Sequence, residues 1–325
     1  MSRLHHVVVG AGAIGGAVAA LLHESGARVT LVARGAHLEA LRARGLSLAV
    51  GDDVRRVDVP VVGGPGEVAW DADAVVHLAV KSHQSADALD ALLAHAPATT
   101  PLVCLQNGVA NERAALRRMP AVHGVCVMMP ASHLRPGEVV LHSLGRPGLL
   151  DVGRCPVGSD EVDHAVGAAY RAAGFDSVVR EDVMAWKHRK LLLNLGNGVD
   201  ATCADSPAAE ELVRRVRAEG EVVLAAAGVD VVTEVADRER RGDLLRPLAR
   251  RDEAGSSTWQ SLARGAGSSE VDYLNGEIVL LGRLHGVATP ANALVQEATA
   301  AAARTRAAPG TLDAAGLLAR LPVRP

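Results

Sequence analysis

Val7-Val8-Val9-Gly10-Ala11-Gly12-Ala13-Ile14-Gly15 is the stretch of sequence that decides the fold. The three valines form a continuous apolar run, as a parallel strand buried on both faces requires. The glycines follow in Gly-x-Gly-x-x-Gly spacing and open a helix expected from about Ile14 to Glu24, whose N-terminus suits phosphates. This strand-turn-helix unit predicts dinucleotide binding, and the expected cofactor contacts are Gly10, Gly12, Ala13, Ile14 and Gly15.

The apolar run from Val7 to Leu22 has one competing interpretation, a secretory signal peptide. Its glycines would interrupt the apolar core of such a peptide, whereas a strand, a turn and a helix account for them. No other segment approaches the roughly 20 apolar residues of a membrane span. We therefore expect a cytoplasmic protein with no membrane partner.

Predicted strands and helices alternate along the first half of the chain. The strands are expected at Val7–Val9, Val29–Val32, Ala74–Ala79, Leu102–Leu105 and Val122–Met129, with edge strands within Gly137–Val152. This alternation predicts an α/β fold whose N-terminal part, residues 1–180, is a Rossmann domain with a doubly wound parallel sheet that binds NADP.

Helical patterns dominate from about Asp182 onward. Long helices are expected at Trp186–Leu195, Ala208–Ala227 and Glu270–Leu284. We therefore predict an all-helical C-terminal domain over residues 181–325 that carries substrate-binding and catalytic residues. The tail after Pro309 is rich in Pro, Gly and Ala and is expected to fray.

Composition narrows the classes of function. The net charge of −3 gives no reason to expect nucleic-acid binding. The four cysteines, Cys104, Cys126, Cys155 and Cys203, form no CxxC pair, so we expect buried thiols and no metal site.

The residue after the second predicted strand indicates which dinucleotide binds. NAD sites usually have an Asp or Glu there, which holds the ribose 2′-hydroxyl. Here the strand leads into Arg34, whose guanidinium suits the 2′-phosphate of NADPH. Lys81 and Asn107 also follow buried strands, at the sheet edge where ligands bind, although a surface lysine and a plain turn would explain them equally well.

Three polar residues recur along an apolar helix in the second half. Lys190, Asn194 and Asn197 stand at i, i+4 and i+7, which share one face of a regular helix. Gly196 and Gly198 are expected to loosen the helix there. A second cluster comprises Ser256, Ser257 and, further on, Glu270, for which helix capping is the simpler explanation.

Taken together, these residues resemble the ketopantoate reductase family from Val7 to about Leu294. The landmarks, in order, are Gly10-x-Gly12-Ala13-x-Gly15, Lys81-x-x-Gln84, Gln106-Asn107-Gly108, Lys190-x-x-x-Asn194, and Ser256-Ser257 followed by Glu270-x-Asp272-x-x-Asn275-Gly276. The resemblance implies NADPH-dependent reduction of a small 2-oxo acid. The leading candidate is ketopantoate to pantoate (2-dehydropantoate 2-reductase activity), in pantothenate and coenzyme A biosynthesis.

The resemblance also implies roles for single residues. Lys190 matches the catalytic lysine, and Glu270 matches a carboxylate near the reacting oxygen. Arg34 matches the residue that binds the 2′-phosphate. Lys81 and Asn107 match cofactor-side residues, with Asn107 close to substrate as well. The expected substrate-binding residues are Asn107, Asn194, Asn197 and Ser257.

The substrate half departs from the family pattern, whereas the cofactor half is intact. Trp186 precedes Lys190 by four residues instead of two, which makes Lys187 a rival for the catalytic role. Asn197 follows Asn194 by three residues instead of four, and Ser261 stands where an acidic residue is common. NADPH is therefore a better supported prediction than ketopantoate.

Two other functions stay open. A related opine or imine dehydrogenase would share the Rossmann half without needing Lys190 and Glu270. A non-catalytic NADPH-binding redox sensor would need no acid at all. The expected partner is a small-molecule 2-oxo acid, and the sequence leaves open whether the protein forms a homodimer.

Overall fold

The computed structural model describes residues 4–246 and 255–322, and its contacts divide the chain into two compact units. Among the described residues, the first unit comprises 4–187 and 235–246, and the second comprises 188–234 and 255–322. Residues 235–246 therefore belong with the first unit. The domain boundary predicted at 180/181 does not include this return of the chain to the first unit.

The first unit is built on a seven-stranded sheet. In chain order its strands are β1 (His5–Val9), β2 (Arg28–Val32), β5 (Val61–Val62), β6 (Ala74–Leu78), β7 (Leu102–Cys104), β8 (Val122–Met128) and β11 (Leu149–Arg154). They lie in the order β11-β8-β7-β6-β1-β2-β5, with β11 alone antiparallel to its neighbour. The chain winds outward in both directions from β1, which confirms the predicted doubly wound Rossmann sheet.

Helices connect these strands and bury them. They are α1 (Ala13–Glu24), α2 (Gly35–Arg44), α3 (Ser85–Leu93), α4 (Ala110–Leu116) and α5 (Glu161–Ala172). All five residues of β1 are buried, and so are all seven of β8. Because helices cover both faces of the sheet, the strands appear in the sequence as continuous apolar runs rather than alternating ones.

A second sheet in the same unit was not predicted. Its strands, β3 (Leu46–Val50), β4 (Asp53–Val57), β9 (Ala131–Ser132) and β10 (Glu138–Leu141), lie in the order β4-β3-β10-β9. The edge strands expected within Gly137–Val152 are therefore divided: β10 joins this sheet, while β11 joins the main one. β4 is largely exposed and rich in charged residues, so it lacks the apolar signal on which the prediction depended.

The second unit is helical, as predicted. Helix α6 (Val183–Asn194) enters it from the first unit. The others are α7 (Asn197–Thr202), α8 (Pro207–Ala226), α10 (Ser257–Ala263), α11 (Asn275–His285), α12 (Pro290–Thr305) and α13 (Ala314–Ala319), while most of α9 (Glu234–Arg241) belongs to the first unit. None of the described helices is long and apolar enough to cross a membrane.

Two predictions about the second half were wrong. The helix expected at Glu270–Leu284 begins only at Asn275, as α11, because Val271–Tyr273 form a short 3-10 turn and Leu274, at φ −112° and ψ −88°, separates the two. The tail does not fray over residues 310–319. The N–H groups of Gly310 and Leu312 donate to the main-chain oxygens of Ala201 and Thr202, and α13 follows.

Candidate functional site

The glycine-rich loop follows β1 at the carboxyl edge of the main sheet. Gly10 has φ +107°, and a Cβ there would lie 2.7 Å from the Val80 nitrogen. A Cβ on Gly15 would overlap the Gly10 carbonyl oxygen, whereas one on Gly12 would meet no atom within 4 Å. Two glycines thus permit close packing, and the third borders open space.

The N-terminus of α1 has the features of a phosphate site. Gly12 is its N-cap residue and provides no side chain to cap the helix. Ala13 and Ile14 are the first two helical residues, so their N–H groups belong to the first turn, which lacks intrahelical acceptors. A dinucleotide pyrophosphate therefore fits the open space beside Gly12.

Arg34 lies where the sequence predicted, directly beyond β2. It is the N-cap residue of α2, with extended backbone at φ −138° and ψ 158°, and its side chain is exposed. Its guanidinium has no hydrogen bond or ion pair to any residue that the structure describes. The group is therefore available to an anionic ligand at this sheet edge.

Lys81 and Asn107 follow the neighbouring strands β6 and β7, and both are half-buried. Gln106, to which the sequence assigned no role, links their loops: its amide donates to Val80 O at 2.9 Å and to Ser85 Oγ at 2.7 Å. The structure thus brings the glycine loop, Arg34, Lys81 and Asn107 to one edge of the main sheet.

The main chain of Asn107 is held by the buried side chain of Asn111. Asn111 Nδ2 donates to the Asn107 carbonyl oxygen at 3.2 Å and to Ser82 Oγ at 3.1 Å. Asn111 is buried, so these hydrogen bonds are shielded from water. The Asn107 side-chain amide itself has no partner among the described residues, which leaves it free for a ligand.

Lys187, the rival of Lys190, is only 3% exposed. Its ammonium group donates to the main-chain oxygens of Gln106 at 2.8 Å and Val125 at 3.1 Å, and it lies 2.7 Å from Glu112 Oε1. Two main-chain acceptors and a buried carboxylate therefore surround its ammonium group, which argues against Lys187 as a proton donor to a ligand.

Lys190 and Asn194 lie one turn apart on α6, and both are half-buried. Asn194 Nδ2 is buried and has no hydrogen-bond partner among the described residues. An unpartnered buried donor is costly, and a ligand that supplied an acceptor would relieve that cost.

Asn197 is not part of the same helix. α6 ends at Asn194, Leu195 and Gly196 form a turn, and Asn197 begins α7, so the predicted i, i+4, i+7 face holds only for the first two residues. Asn275 stabilises the break: its Nδ2 donates to Leu195 O and to Asn292 Oδ1, both at 3.0 Å. The helix is therefore interrupted at Gly196, as predicted, whereas Gly198 lies within α7.

The two serines before α10 differ in their contacts. Ser256 is the N-cap residue: its Oγ accepts from Trp259 N at 3.2 Å and donates to Asn197 O at 3.4 Å. Ser257 is the first helical residue, and its hydroxyl has no partner among the described residues. The structure therefore brings Ser256 into contact with Asn197 and leaves the hydroxyl of its neighbour Ser257 available.

Glu270 precedes the 3-10 turn and is 7% exposed. Its main-chain oxygen accepts from Tyr273 N at 2.8 Å, which closes that turn. The cysteines are also as predicted: all four thiols are free and buried, and burial raises the pKa of Cys155 to about 11. Burial also raises the pKa of Cys104 and Cys203, so these three thiols are protonated near neutral pH.

Comparison with known families covers most of the chain. Residues 6–155 match the family described as "Ketopantoate reductase PanE/ApbA", and residues 182–303 match "Ketopantoate reductase PanE/ApbA C terminal". The 2-dehydropantoate 2-reductase of Halobacterium salinarum is 32% identical over 301 residues, which are 87% of this chain and 94% of that protein.

Solved structures have the same fold. The PanE/ApbA family ketopantoate reductase from Ralstonia eutropha JMP134 superimposes with a TM-score of 0.77 at 28% identity, covering 93% of this chain and 99% of that one. D-mandelate dehydrogenase with NADH and anilino(oxo)acetate gives the same TM-score at 22% identity and the same coverage. The latter similarity establishes the fold alone.

Proposed function

The chain belongs to the ketopantoate reductase family, and from that premise we propose that it reduces ketopantoate to pantoate with NADPH. The observation that carries the proposal is the open glycine-rich loop at the start of α1, within the part of the chain that matches the family. A reductase of this class needs a dinucleotide site, a donor for the ketone oxygen and a site for the carboxylate.

NADPH is proposed over NADH because of Arg34. The side chain is exposed at the end of β2 and has no partner among the described residues, and no acidic residue stands beside it. A carboxylate at this position would repel a 2′-phosphate, whereas a guanidinium donates two hydrogen bonds to it. Lys81 and Asn107 are proposed to contact the cofactor at the same sheet edge.

When bound, the nicotinamide supplies the hydride to the ketone carbon of the 2-oxo acid. Lys190 is proposed to donate a hydrogen bond to the ketone oxygen, stabilise its growing negative charge and then transfer a proton. Glu270 is proposed to lie near that oxygen, and it assists only when protonated or paired with an ammonium, because a free carboxylate opposes the developing charge.

The remaining polar groups of the second unit are proposed to bind substrate. The Asn194 amide nitrogen, which lacks a hydrogen-bond partner among the described residues, can donate to a substrate oxygen. The Ser257 hydroxyl can donate to the carboxylate, and Asn197 and Asn107 can contribute further amide contacts. None of these groups supplies a proton to the ketone oxygen, so Lys190 remains the proposed proton donor.

A second candidate is a 2-oxo acid other than ketopantoate. It is favoured by the changes in the substrate half, where Ser261 replaces the usual acid and Asn197 begins a separate helix. The two candidates share the cofactor and the chemistry, so they differ only in the acid that is reduced.

The test is NADPH oxidation by the purified protein against a panel of 2-oxo acids that includes ketopantoate. Ketopantoate should give the highest kcat/KM of the panel. A higher value for another 2-oxo acid would select the second candidate. Binding of NADPH without oxidation by any member would instead support a redox sensor, and turnover only with an amine present would support an opine or imine dehydrogenase.

A further inference from the structure

His37 connects the glycine-rich loop to the helix that begins beside Arg34. It lies in the first turn of α2 and is half-buried. Its Nε2 lies 2.8 Å from the Ala11 carbonyl oxygen, and its Nδ1 lies 2.8 Å from the Gly137 nitrogen. One imidazole therefore bridges two segments that are distant in sequence.

These two contacts determine the protonation of the ring. Gly137 N–H is a donor, so Nδ1 accepts and carries no proton, whereas the Ala11 carbonyl is an acceptor, so Nε2 carries the proton and donates. Burial and then the His133 imidazole, whose centroid is 4.3 Å away, lower the pKa of His37 to about 4. The ring is thus neutral near pH 7, and each nitrogen makes one hydrogen bond.

The Ala11–Gly12 peptide unit is the part of the loop that His37 holds. In a planar trans peptide the C=O and N–H bonds point in opposite directions. Fixing the Ala11 oxygen toward His37 therefore directs the Gly12 N–H away from it, at the residue whose surroundings are open. The second glycine of such a motif is where a pyrophosphate approaches the backbone.

We propose that His37 is a positioning residue for dinucleotide binding, which holds the Ala11–Gly12 peptide so that the Gly12 N–H is presented to the pyrophosphate. The inference rests on the proposed function in taking a nicotinamide dinucleotide as the ligand. NADPH and NADH share the pyrophosphate, so His37 affects the binding of both. Arg34, three residues earlier, is proposed to read a phosphate that only NADPH carries.

Two substitutions separate the roles of the ring nitrogens. His37→Gln places an amide N–H near the position of Nε2 and retains the Ala11 contact. His37→Asn places a carbonyl oxygen near the position of Nδ1, so it retains the Gly137 contact and loses Ala11. The measurement is the Kd of NADPH and of NADH by titration calorimetry, on the nucleotide-free full chain without any 2-oxo acid.

His37→Asn should raise both Kd values by a similar factor of about tenfold, as the loss of one hydrogen bond does. His37→Gln should stay within about threefold of the wild type, since it keeps that bond. Arg34→Ala, the matched control, should raise the Kd of NADPH alone. If His37 had a purely structural role, His37→Asn would change the melting temperature, and His37→Gln would not restore the Kd values.

Unchanged Kd values in His37→Asn, or a loss confined to NADPH, overturn the proposal. If His37→Asn does not fold, His37→Gln still decides, because a loss of tenfold or more there contradicts a role through Ala11. A wild-type chain that binds neither dinucleotide would instead contradict the proposed function, so the two failures are distinguishable.

Discussion

Lys187 Nζ lies 2.7 Å from Glu112 Oε1, and the two side chains are 3% and 0% exposed. The contact is an ion pair rather than a well-aligned hydrogen bond, since neither carboxylate oxygen of Glu112 has a hydrogen-bond partner among the described residues. Taking both charges out of water is costly, so the pair adds little net stability. Removing one partner, however, leaves the other charge buried and uncompensated.

Lys187→Met should therefore lower the free energy of unfolding by about 3–5 kcal/mol, measured by urea denaturation. The loss arises because Glu112 would remain buried without its cation. Adding Glu112→Gln to that variant should restore part of the stability, because a neutral amide needs no counter-charge. Strictly additive losses in the double variant would contradict the coupling between the two side chains.

Arg34→Ala should raise the Kd of NADPH by about 10- to 100-fold, the cost of losing hydrogen bonds to a charged group. The Kd of NADH should be nearly unchanged, since NADH has no 2′-phosphate. Arg42→Ala is a matched control: Arg42 lies on α2, is likewise exposed to solvent and pairs with Glu67 at 3.0 Å. Equal losses for both cofactors would show that Arg34 does not read the 2′-phosphate.

Ser257→Ala should raise KM for the 2-oxo acid by about tenfold, because the substrate carboxylate loses one hydroxyl donor. The Kd of NADPH should be unaffected. Ser256→Ala provides the contrast: its hydroxyl caps α10, so its loss should lower stability by about 1 kcal/mol with a smaller effect on KM. An unchanged KM in Ser257→Ala would transfer the carboxylate-binding role to Ser256.

Acid should destabilise the first unit through two buried histidines. His6 Nδ1 lies 2.9 Å from His77 Nε2, and His77 Nδ1 lies 2.8 Å from Tyr170 Oη. Burial lowers the pKa of His6 to about 4 and lowers that of His77 well below its ordinary value. Above pH 6.5 both rings are neutral in the folded and the unfolded chain, so their contribution to stability is fully present.

Between about pH 6.5 and pH 4 the unfolded chain binds protons that the folded chain does not. Stability should then fall by up to about 1.4 kcal/mol per pH unit for each histidine, which urea titrations at a series of pH values would measure. The double variant His6→Leu with His77→Phe should make this slope shallower, with the contribution of His37, whose pKa is also about 4, remaining, while His164→Gln, an exposed position on α5, should leave the slope unchanged. An unaltered slope in the double variant would assign the acid sensitivity to other groups.

The glycine loop could be predicted because local packing and the approach of a ligand explain its glycines. Gly10 and Gly15 lie where the loop, the start of α1 and the residues directly after β6 pack too closely for a Cβ, and that requirement fixes their spacing. The cofactor could also be predicted from the residue directly after β2. An acid there indicates NAD, whereas an arginine, here Arg34, indicates NADP. Most of the main sheet followed from buried apolar runs.

The sequence alone could not decide whether Lys187 or Lys190 is the catalytic lysine. They are three residues apart on one helix and have the same chemistry, and only burial against Glu112, which lies on α4, distinguishes them. His37 is a similar case, because its partner Gly137 is 100 residues away. Contacts at such separations follow from the tertiary structure, and no local periodicity encodes them.

Lys190 is the residue on which the proposed chemistry depends. Hydride transfer to a ketone carbon leaves negative charge on the oxygen, and an ammonium can stabilise that charge and then donate the proton. The asparagine amides cannot donate one, and Lys187 is held by two hydrogen bonds and a buried ion pair. Lys190→Ala should therefore lower kcat by about 100-fold or more. The Kd of NADPH and the melting temperature should change little, because the side chain is only half-buried. Near-full turnover in this variant, on an acid that the wild type reduces, would show that the mechanism is wrong.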